Sequence, residues 1–241
     1  MAGKIPLNAQ SLSVMPFFGY KKVEMESVNQ DYRYKISRLA VITDNNFPAP
    51  ENFDGNYAWG LHVNYRLEGG YFLYAGTIYY FEKARLNYDI PPASLRTLRE
   101  VELFDFNIGV KYYPNYNTWR RFNFYGGAAV GYAFGWARSE FKYIDGVNRI
   151  DNQGDFFTGA LSATFSAGIT YRITNIIALD GAFGYHLADL GDMEGRLQIS
   201  QILPGDPSSQ LEVTDDNYIT DENYNFGGLF AQIGLKFNIS Y

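Results

Sequence analysis

At the end of the chain Leu229, Ala231, Ile233, Leu235, Phe237, Ile239 and Tyr241 alternate with Gly228, Phe230, Gln232, Gly234, Lys236, Asn238 and Ser240. Successive side chains on a strand point to opposite faces, so a period of two predicts a strand with one apolar face. Trp59, Leu61, Val63, Tyr65 and Leu67 repeat the period against Ala58, Gly60, His62, Asn64 and Arg66, as do Phe104, Phe106, Ile108, Val110 and Tyr112 against Asp105, Asn107, Gly109 and Lys111.

A register test comes from YIDGVN, where Asp145 and Gly146 are a favoured pair for a two-residue type I′ turn. That turn sets Ile144 opposite Val147, Phe134 opposite Phe157, Val130 opposite Leu161 and Ala128 opposite Ala163. Opposed residues share a face. Phe124, Val130, Tyr132, Phe134 and Trp136 then lie with Phe157, Leu161, Phe165, Ile169 and Tyr171, and Ala129, Gly131, Ala133, Ser162, Thr164 and Ser166 lie on the other side.

The same reading predicts strands near 12–24, 56–67, 71–82, 101–113, 122–144, 147–172, 177–188 and 225–241. Short connections at Glu68-Gly69-Gly70, 115–120 and Thr174-Asn175-Ile176 fall at one end, and long ones near 25–55, 83–100 and 189–224 at the other. For strand 71–82, a two-residue Gly69-Gly70 turn points Phe72, Tyr74, Ile78 and Tyr80 outward and is preferred; a three-residue turn reverses this. Pro16 lacks a ladder donor and predicts a bulge or edge-like irregularity in the first strand. RLQIS and QLEVT, flanking PGD, predict a further hairpin above the barrel.

A soluble sandwich would put large apolar residues inside and charge outside. Here the face opposite the apolar one is rich in Gly, Ala, Ser and Thr, as the crowded interior of a small barrel requires. The expected fold is therefore all-β, an antiparallel up-and-down transmembrane β-barrel of about eight strands with long extracellular loops, in one domain spanning 1–241. Hydrophobic residues make up 46% and aromatics 18% of the chain, yet mean hydropathy is −0.24. No run approaches the roughly 18 apolar residues of a membrane-spanning helix. A barrel wall explains both, because lipid-facing and lumen-facing residues alternate and dilute any averaged signal. There is no cysteine, which excludes thiolate metal sites and disulfides. The opening MAGKIPLNAQ lacks a signal-peptide apolar region, so an exported chain is expected to carry mature or recombinant numbering.

With these strands in place the chain resembles, across most of its length, the small outer-membrane barrels of the OmpA membrane-domain, OmpX and OmpW type. The ending LKFNISY carries the most specific likeness: Leu235, Phe237, Ile239 and Tyr241 resemble the aromatic-ended signal read by barrel-assembly machinery, with Tyr where Phe is commoner. The resemblance implies outer-membrane localisation, lipid as surroundings and the assembly machinery as a partner during biogenesis. No peptidoglycan-binding domain is expected after the barrel.

An eight-stranded barrel has room for side chains alone, so an open channel is not expected. Sidedness places a polar lumen network at His62, Arg66, Asp105, Lys111, Arg172, Asp180 and Lys236, with Asp180 opposite Thr170 and diagonal to Arg172; Tyr125 is expected beside it. Buried charges need such partners; the competing reading is a conduction or ligand path. His186 falls opposite Thr164 and diagonal to Ser162, a pair that could activate a hydroxyl, but no acidic orienter is fixed, so no catalytic residue is assigned and no enzyme is expected.

Segment 189–224 sets nine acidic residues against Arg196 alone. DLGDMEG within it lacks the acidic spacing of a calcium loop, so no metal or cofactor is expected and a solvated acidic loop is the default. That loop is a candidate surface for a protein or other surface ligand. The acidic balance argues against nucleic acid, which needs a basic surface. No phosphate loop, HExxH, GxSxG or dinucleotide fingerprint is present. The leading functional expectation is a non-enzymatic barrel with a structural, adhesive or partner-binding role through its extracellular loops. The alternative, implied by resemblance to OmpW, is passage of small hydrophobic molecules. Behind these stand a lipid-modifying enzyme and a subunit of a larger secretion or assembly complex.

Overall fold

A computed structural model describes residues 11–114, 121–146, 148–202 and 210–240. Its elements in chain order are β1 (Ser11–Lys21), α1 (Glu26–Thr43), β2 (Asn56–Arg66), β3 (Tyr71–Ile90), β4 (Ala93–Tyr112), β5 (Phe122–Asp145), β6 (Asn148–Arg172), β7 (Ile177–Leu187), β8 (Glu194–Ile202), β9 (Gln210–Ile219) and β10 (Gly228–Ser240). Each of β1 to β6 pairs antiparallel with the next, β6 pairs with β7, β7 with β10, and β10 with β1, closing a ring of eight strands. Closure leaves no unpaired edge at membrane depth, the condition for strands to cross lipid.

The outer surface shows where lipid lies. Leu61, Leu73, Phe106, Ile108, Val130, Leu161, Phe165, Phe183, Ile233 and Leu235 all face outward and are exposed. Aromatic rings border this band at both ends, as girdles do at membrane interfaces. Tyr71 packs on Tyr112 and Phe122 on Tyr171 at the end holding the short turns, while Tyr57, Trp59, Tyr79, Trp136 and Phe157 ring the other. One residue pair further along, the outward face turns charged: Phe104 gives way to Glu102, Trp136 to Arg138, and Phe157 to Asp155. The chain is a membrane-spanning β-barrel.

Beyond that boundary the wall is uneven. β1, β2, β7 and β10 stop near it, whereas β3 to β6 continue about ten residues, or roughly 33 Å along the strand, and β8 and β9 extend this sheet from the upper part of β6. Above lipid the pattern inverts. On β4, Leu95, Val101 and Leu103 are buried inside, while Arg96, Glu100 and Glu102 point into water.

Helix α1 lies in the concavity of this tall sheet and buries Val28, Tyr32, Ile36 and Leu39, a stripe at helical spacing. Asn29 fastens the segment returning to β2, its amide donating to the Phe53 carbonyl at 3.0 Å and its carbonyl accepting from the Phe53 N–H at 2.8 Å. On the low side, Phe226, Met193, Leu190 and Phe53 close the barrel mouth with an apolar layer.

Several expectations are corrected here. The long connection near 25–55 holds an 18-residue helix. The connection near 83–100 is the continuation of β3 and β4, joined at Pro91-Pro92. At the β5–β6 tip Asp145 pairs with Asn148, so Phe134 faces Gly159, Val130 faces Ala163 and Ala128 faces Phe165. That is two residues away from the predicted register; an even slip keeps every side chain on its face, and the assigned sidedness stands. Val147 lies outside the described residues. β1 ends three residues short of its expected limit and β10 begins three residues after its own.

Strand β3 is reversed relative to the preferred reading. Leu67 donates to the Tyr71 carbonyl across the three residues Glu68–Gly70, where Gly69 and Gly70 have φ of 67° and 85°. Phe72, Tyr74, Ile78 and Tyr80 therefore point into the barrel. Pro16 interrupts the ladder to β10, but Val14 opposite Phe237 and Phe17 opposite Gly234 keep one register, so no bulge forms. The predicted upper hairpin is present as β8 and β9; its PGD tip and the connection at 115–120 lie outside the described residues.

Candidate functional site

Two regions could carry function: the filled lumen and the outer sheet with α1. In the lumen, even-numbered residues of β2 and β10, and odd-numbered residues of β4 and β5, point inward. This brings His62, Asp105, Lys111 and Lys236 to buried positions, with Asp180 delivered by β7. Arg66 and Arg172 sit half-buried on the same face at the end holding the short turns, and neither is unpartnered.

The network has two storeys. In the upper one, Asp105 accepts a hydrogen bond from Ser162 Oγ at 2.6 Å and from Asn107 Nδ2 at 3.1 Å, and faces His186 Nε2 at 3.3 Å. Lys21 Nζ lies 2.6 Å from His186 Nδ1. With Lys21 as an ammonium, which has only donors, Nδ1 accepts and the imidazole proton falls on Nε2, the nitrogen nearer Asp105. In the lower storey, Asp180 accepts from Tyr125 Oη at 2.7 Å and from Thr170 Oγ1 at 2.7 Å. Thr170 stands opposite Asp180, as the strand count implies.

Cations outnumber carboxylates here, and the excess rests on rings. Lys111 Nζ lies 4.9 Å from the centre of the Tyr74 ring and 5.1 Å from that of Tyr125, and Lys236 Nζ lies 4.9 Å from the Phe72 ring. Cation–π contact offsets part of the cost of removing an ammonium from water. Phe72 and Tyr74 can do this only because β3 points them inward.

His186 is opposite Thr164, as expected. Ser162 donates to Asp105 instead of to the imidazole, so serine and histidine share one carboxylate and the hydroxyl has no base in line. Lys21 is the lumen residue that the sequence reading missed. Met15 and Phe17 are buried on the same parity of β1, and extending that alternation to the strand end points to it. Of the proposed assembly signal, Leu235, Phe237 and Ile239 face outward; Tyr241 lies outside the described residues.

Above the membrane, Arg99 of β4 ties α1 to the wall. Its guanidinium donates to the Val28 carbonyl at 3.1 Å and to Asp31 at 3.0 Å, lies 3.3 Å from Glu222, and stacks over the Tyr32 ring at 4.8 Å. Lys35 joins from the helix, 2.8 Å from Asp31 and 3.1 Å from Glu222. Burial pushes the Asp31 carboxyl up, but its hydrogen bonds with Glu222 and Lys35 and the nearby cations outweigh this and hold it below its ordinary value. Burial pushes the Tyr32 hydroxyl up to about 12. Between α1 and the inner faces of β5, β6 and β8 lies a cavity of about 700 Å³.

The outermost strand of the sheet, β9, pairs only with β8, and its other side carries no strand among the described residues. Leu211, Val213 and Ile219 are exposed along it, interleaved with Glu212, Asp215 and Asp216. DLGDMEG folds back on itself with the Gly191 N–H donating to Asp189 at 3.1 Å, and no acidic cluster able to hold a metal occurs among the described residues.

No family model and no curated protein matches this sequence. Solved structures do. Ail of Yersinia pestis, in complex with the heparin analogue sucrose octasulfate, gives a TM-score of 0.46 at 10% identity, covering 96% of this chain and 99% of that one. OprG of Pseudomonas aeruginosa gives 0.47 at 11% identity, with 97% of each chain covered. The outer membrane protease OmpT of Escherichia coli gives 0.45 at 10% identity, covering 96% and 97%. OprG and OmpT are outer-membrane proteins; the membrane assignment of this chain rests on its own ring and belt.

Proposed function

We propose that this barrel is a non-enzymatic surface protein that binds a partner polypeptide through its outer sheet. One observation carries the reading: among the described residues β9 presents an unpaired strand edge above the membrane, with apolar side chains and an acidic bias. Exposed edges template pairing with another chain, and proteins ordinarily cover or blunt them. A free edge at the outermost point of a sheet anchored in a rigid barrel is placed to accept a strand by main-chain hydrogen bonds. Glu212, Asp215 and Asp216 favour a basic partner segment.

Lumen packing supports binding over passage. Two storeys of paired charge and a layer built from Phe226, Met193 and Phe53 occupy the path that a solute would take. In this reading the polar network is structural.

The test uses the barrel in lipid nanodiscs, titrated with an octapeptide of alternating Lys and Val. Saturable binding weakened by salt is expected, with loss in Val213→Pro, which breaks the regular run of strand at the edge. Absence of binding, or equal binding by the Val213→Pro protein, would contradict the reading.

A further inference from the structure

The cavity between α1 and the outer sheet has properties that strand addition at β9 does not use. Its volume of about 700 Å³ lies within the roughly 300–1,000 Å³ of small-molecule sites. Leu39 and Ile42 of the helix face Phe156 of β6 and Ile199 of β8 across it, and none of the lumen residues lines it. It is therefore a compartment open to the outside and separate from the barrel interior.

Its polar groups are not all satisfied. The Tyr32 hydroxyl is buried without a hydrogen-bond partner, as are the side-chain carbonyl oxygens of Asn148 and Asn152. All three residues line the cavity. Buried polar atoms normally have partners, and each orphan marks a place where a bonding group is missing. Charge at the cavity is balanced in number but unevenly paired, and Asp145, which also lines it, accepts from Tyr143 Oη at 3.0 Å. Lys35 and Arg99 are engaged with Asp31 and Glu222, and Glu140 with Arg138 at 2.8 Å. Arg38 also lines the cavity, exposed, and has no acidic or hydrogen-bonding partner among the described residues.

We infer that this cavity binds a small amphiphile: a compact aromatic or alkyl body carrying one carboxylate and one hydrogen-bond donor. The apolar body lies between the helix and β8. Arg38 takes the carboxylate, since its guanidinium fork matches that geometry. Tyr32 and the amides of Asn148 and Asn152, which hold both donors and acceptors, take the remaining polar group. The site is independent of the β9 edge, so the two proposals stand or fall separately.

Indole-3-acetate has this chemistry and enough water solubility to limit partition into lipid; its alcohol counterpart, indole-3-ethanol, lacks the charge. Calorimetric titration of the barrel in nanodiscs should give saturable one-to-one binding of indole-3-acetate. Arg38→Ala should weaken it about tenfold, the scale of one charge-assisted hydrogen bond, and leave indole-3-ethanol binding unchanged. Ile42→Trp, at an exposed helix position that the fold tolerates, should fill the mouth and abolish binding of both. Heat that does not saturate, or that Ile42→Trp leaves intact, would overturn the site. Equal affinity for acid and alcohol, with no effect of Arg38→Ala, would overturn the assigned ligand class.

Discussion

The guanidinium of Arg99 on the barrel wall lies 3.0 Å from the carboxylate of Asp31 on α1. Arg99 also reaches the Val28 carbonyl in the first turn of the helix, so one cation fixes the depth and rotation of the only helix among the described residues. The seating of the helix, and with it one wall of the cavity, depends on this contact, which joins positions 68 residues apart.

Replacing Arg99 leaves Asp31 and Glu222 with only the exposed Lys35 between them. Arg99→Met should cost about 3 kcal/mol, the lower end for breaking a buried ion pair because Asp31 retains some solvent. The loss should appear as faster amide exchange over 26–43, with the lipid-embedded strands unaffected. Equal protection of α1 in both proteins would contradict the assigned role.

Acid should act on the same contact. The folded Asp31 titrates below its unfolded value, so its stabilising contribution is complete above the ordinary carboxylate range near 4 and is lost as pH falls through the lowered folded value. Exchange over 26–43, corrected for intrinsic rates, should stay slow at pH 6 and accelerate as pH drops below 4. Helix protection that does not change down to pH 2 would show that Asp31 does not hold α1.

Sidedness is tested at Val130, which is 70% exposed at the middle of the outer face. Val130→Arg should cost about 2–4 kcal/mol in a bilayer, read from the urea midpoint of refolding into vesicles. Val130→Leu should be close to neutral. Tolerance of the arginine would mean that this face does not meet hydrocarbon.

Within the lumen, Tyr125→Phe removes one of the two hydroxyls that serve Asp180. A hydrogen bond to a buried carboxylate is worth about 1.5–3 kcal/mol, so the variant should unfold at correspondingly lower urea while remaining closed to ions. Unchanged stability would remove the structural reading of this storey.

The lipid-crossing half of the fold was legible because water and hydrocarbon impose alternation: Leu235, Phe237 and Ile239 against Gly234, Lys236 and Asn238 could only be a strand with one greasy face. Sidedness of β5 and β6 survived a wrong turn, since a slip of two residues changes neighbours without changing faces. β3 gave no such signal, because Leu73 and Tyr79 on one parity are as apolar as Tyr74 and Tyr80 on the other. Only the turn decides between them, and Gly69-Gly70 serves a two-residue or a three-residue turn equally well. Above the membrane the rule inverts. Arg96, Glu100 and Glu102 face water, so the upper halves of β3 and β4 read as a polar loop and Arg99 was hidden within it. Helix α1 was obscured in turn by Tyr34, Val41 and Ile42, which are apolar but exposed and blur the stripe of Val28, Tyr32, Ile36 and Leu39. Lumen carboxylates could be placed on the correct face, and for Asp180 the strand count also gave Thr170 opposite it; the pairing of Asp105 with Ser162 and His186 could not be read, because it depends on which strands meet across the barrel interior.

We propose that function lies at the outer sheet and not in the lumen, and planar-bilayer recording of the unmodified protein tests this most directly. With the lumen closed by the paired storeys of Asp105 and Asp180 and by the Phe226 layer, membranes containing the inserted barrel should show no steady open-channel current. A stable, ohmic, porin-like conductance from the unmodified protein would contradict the account.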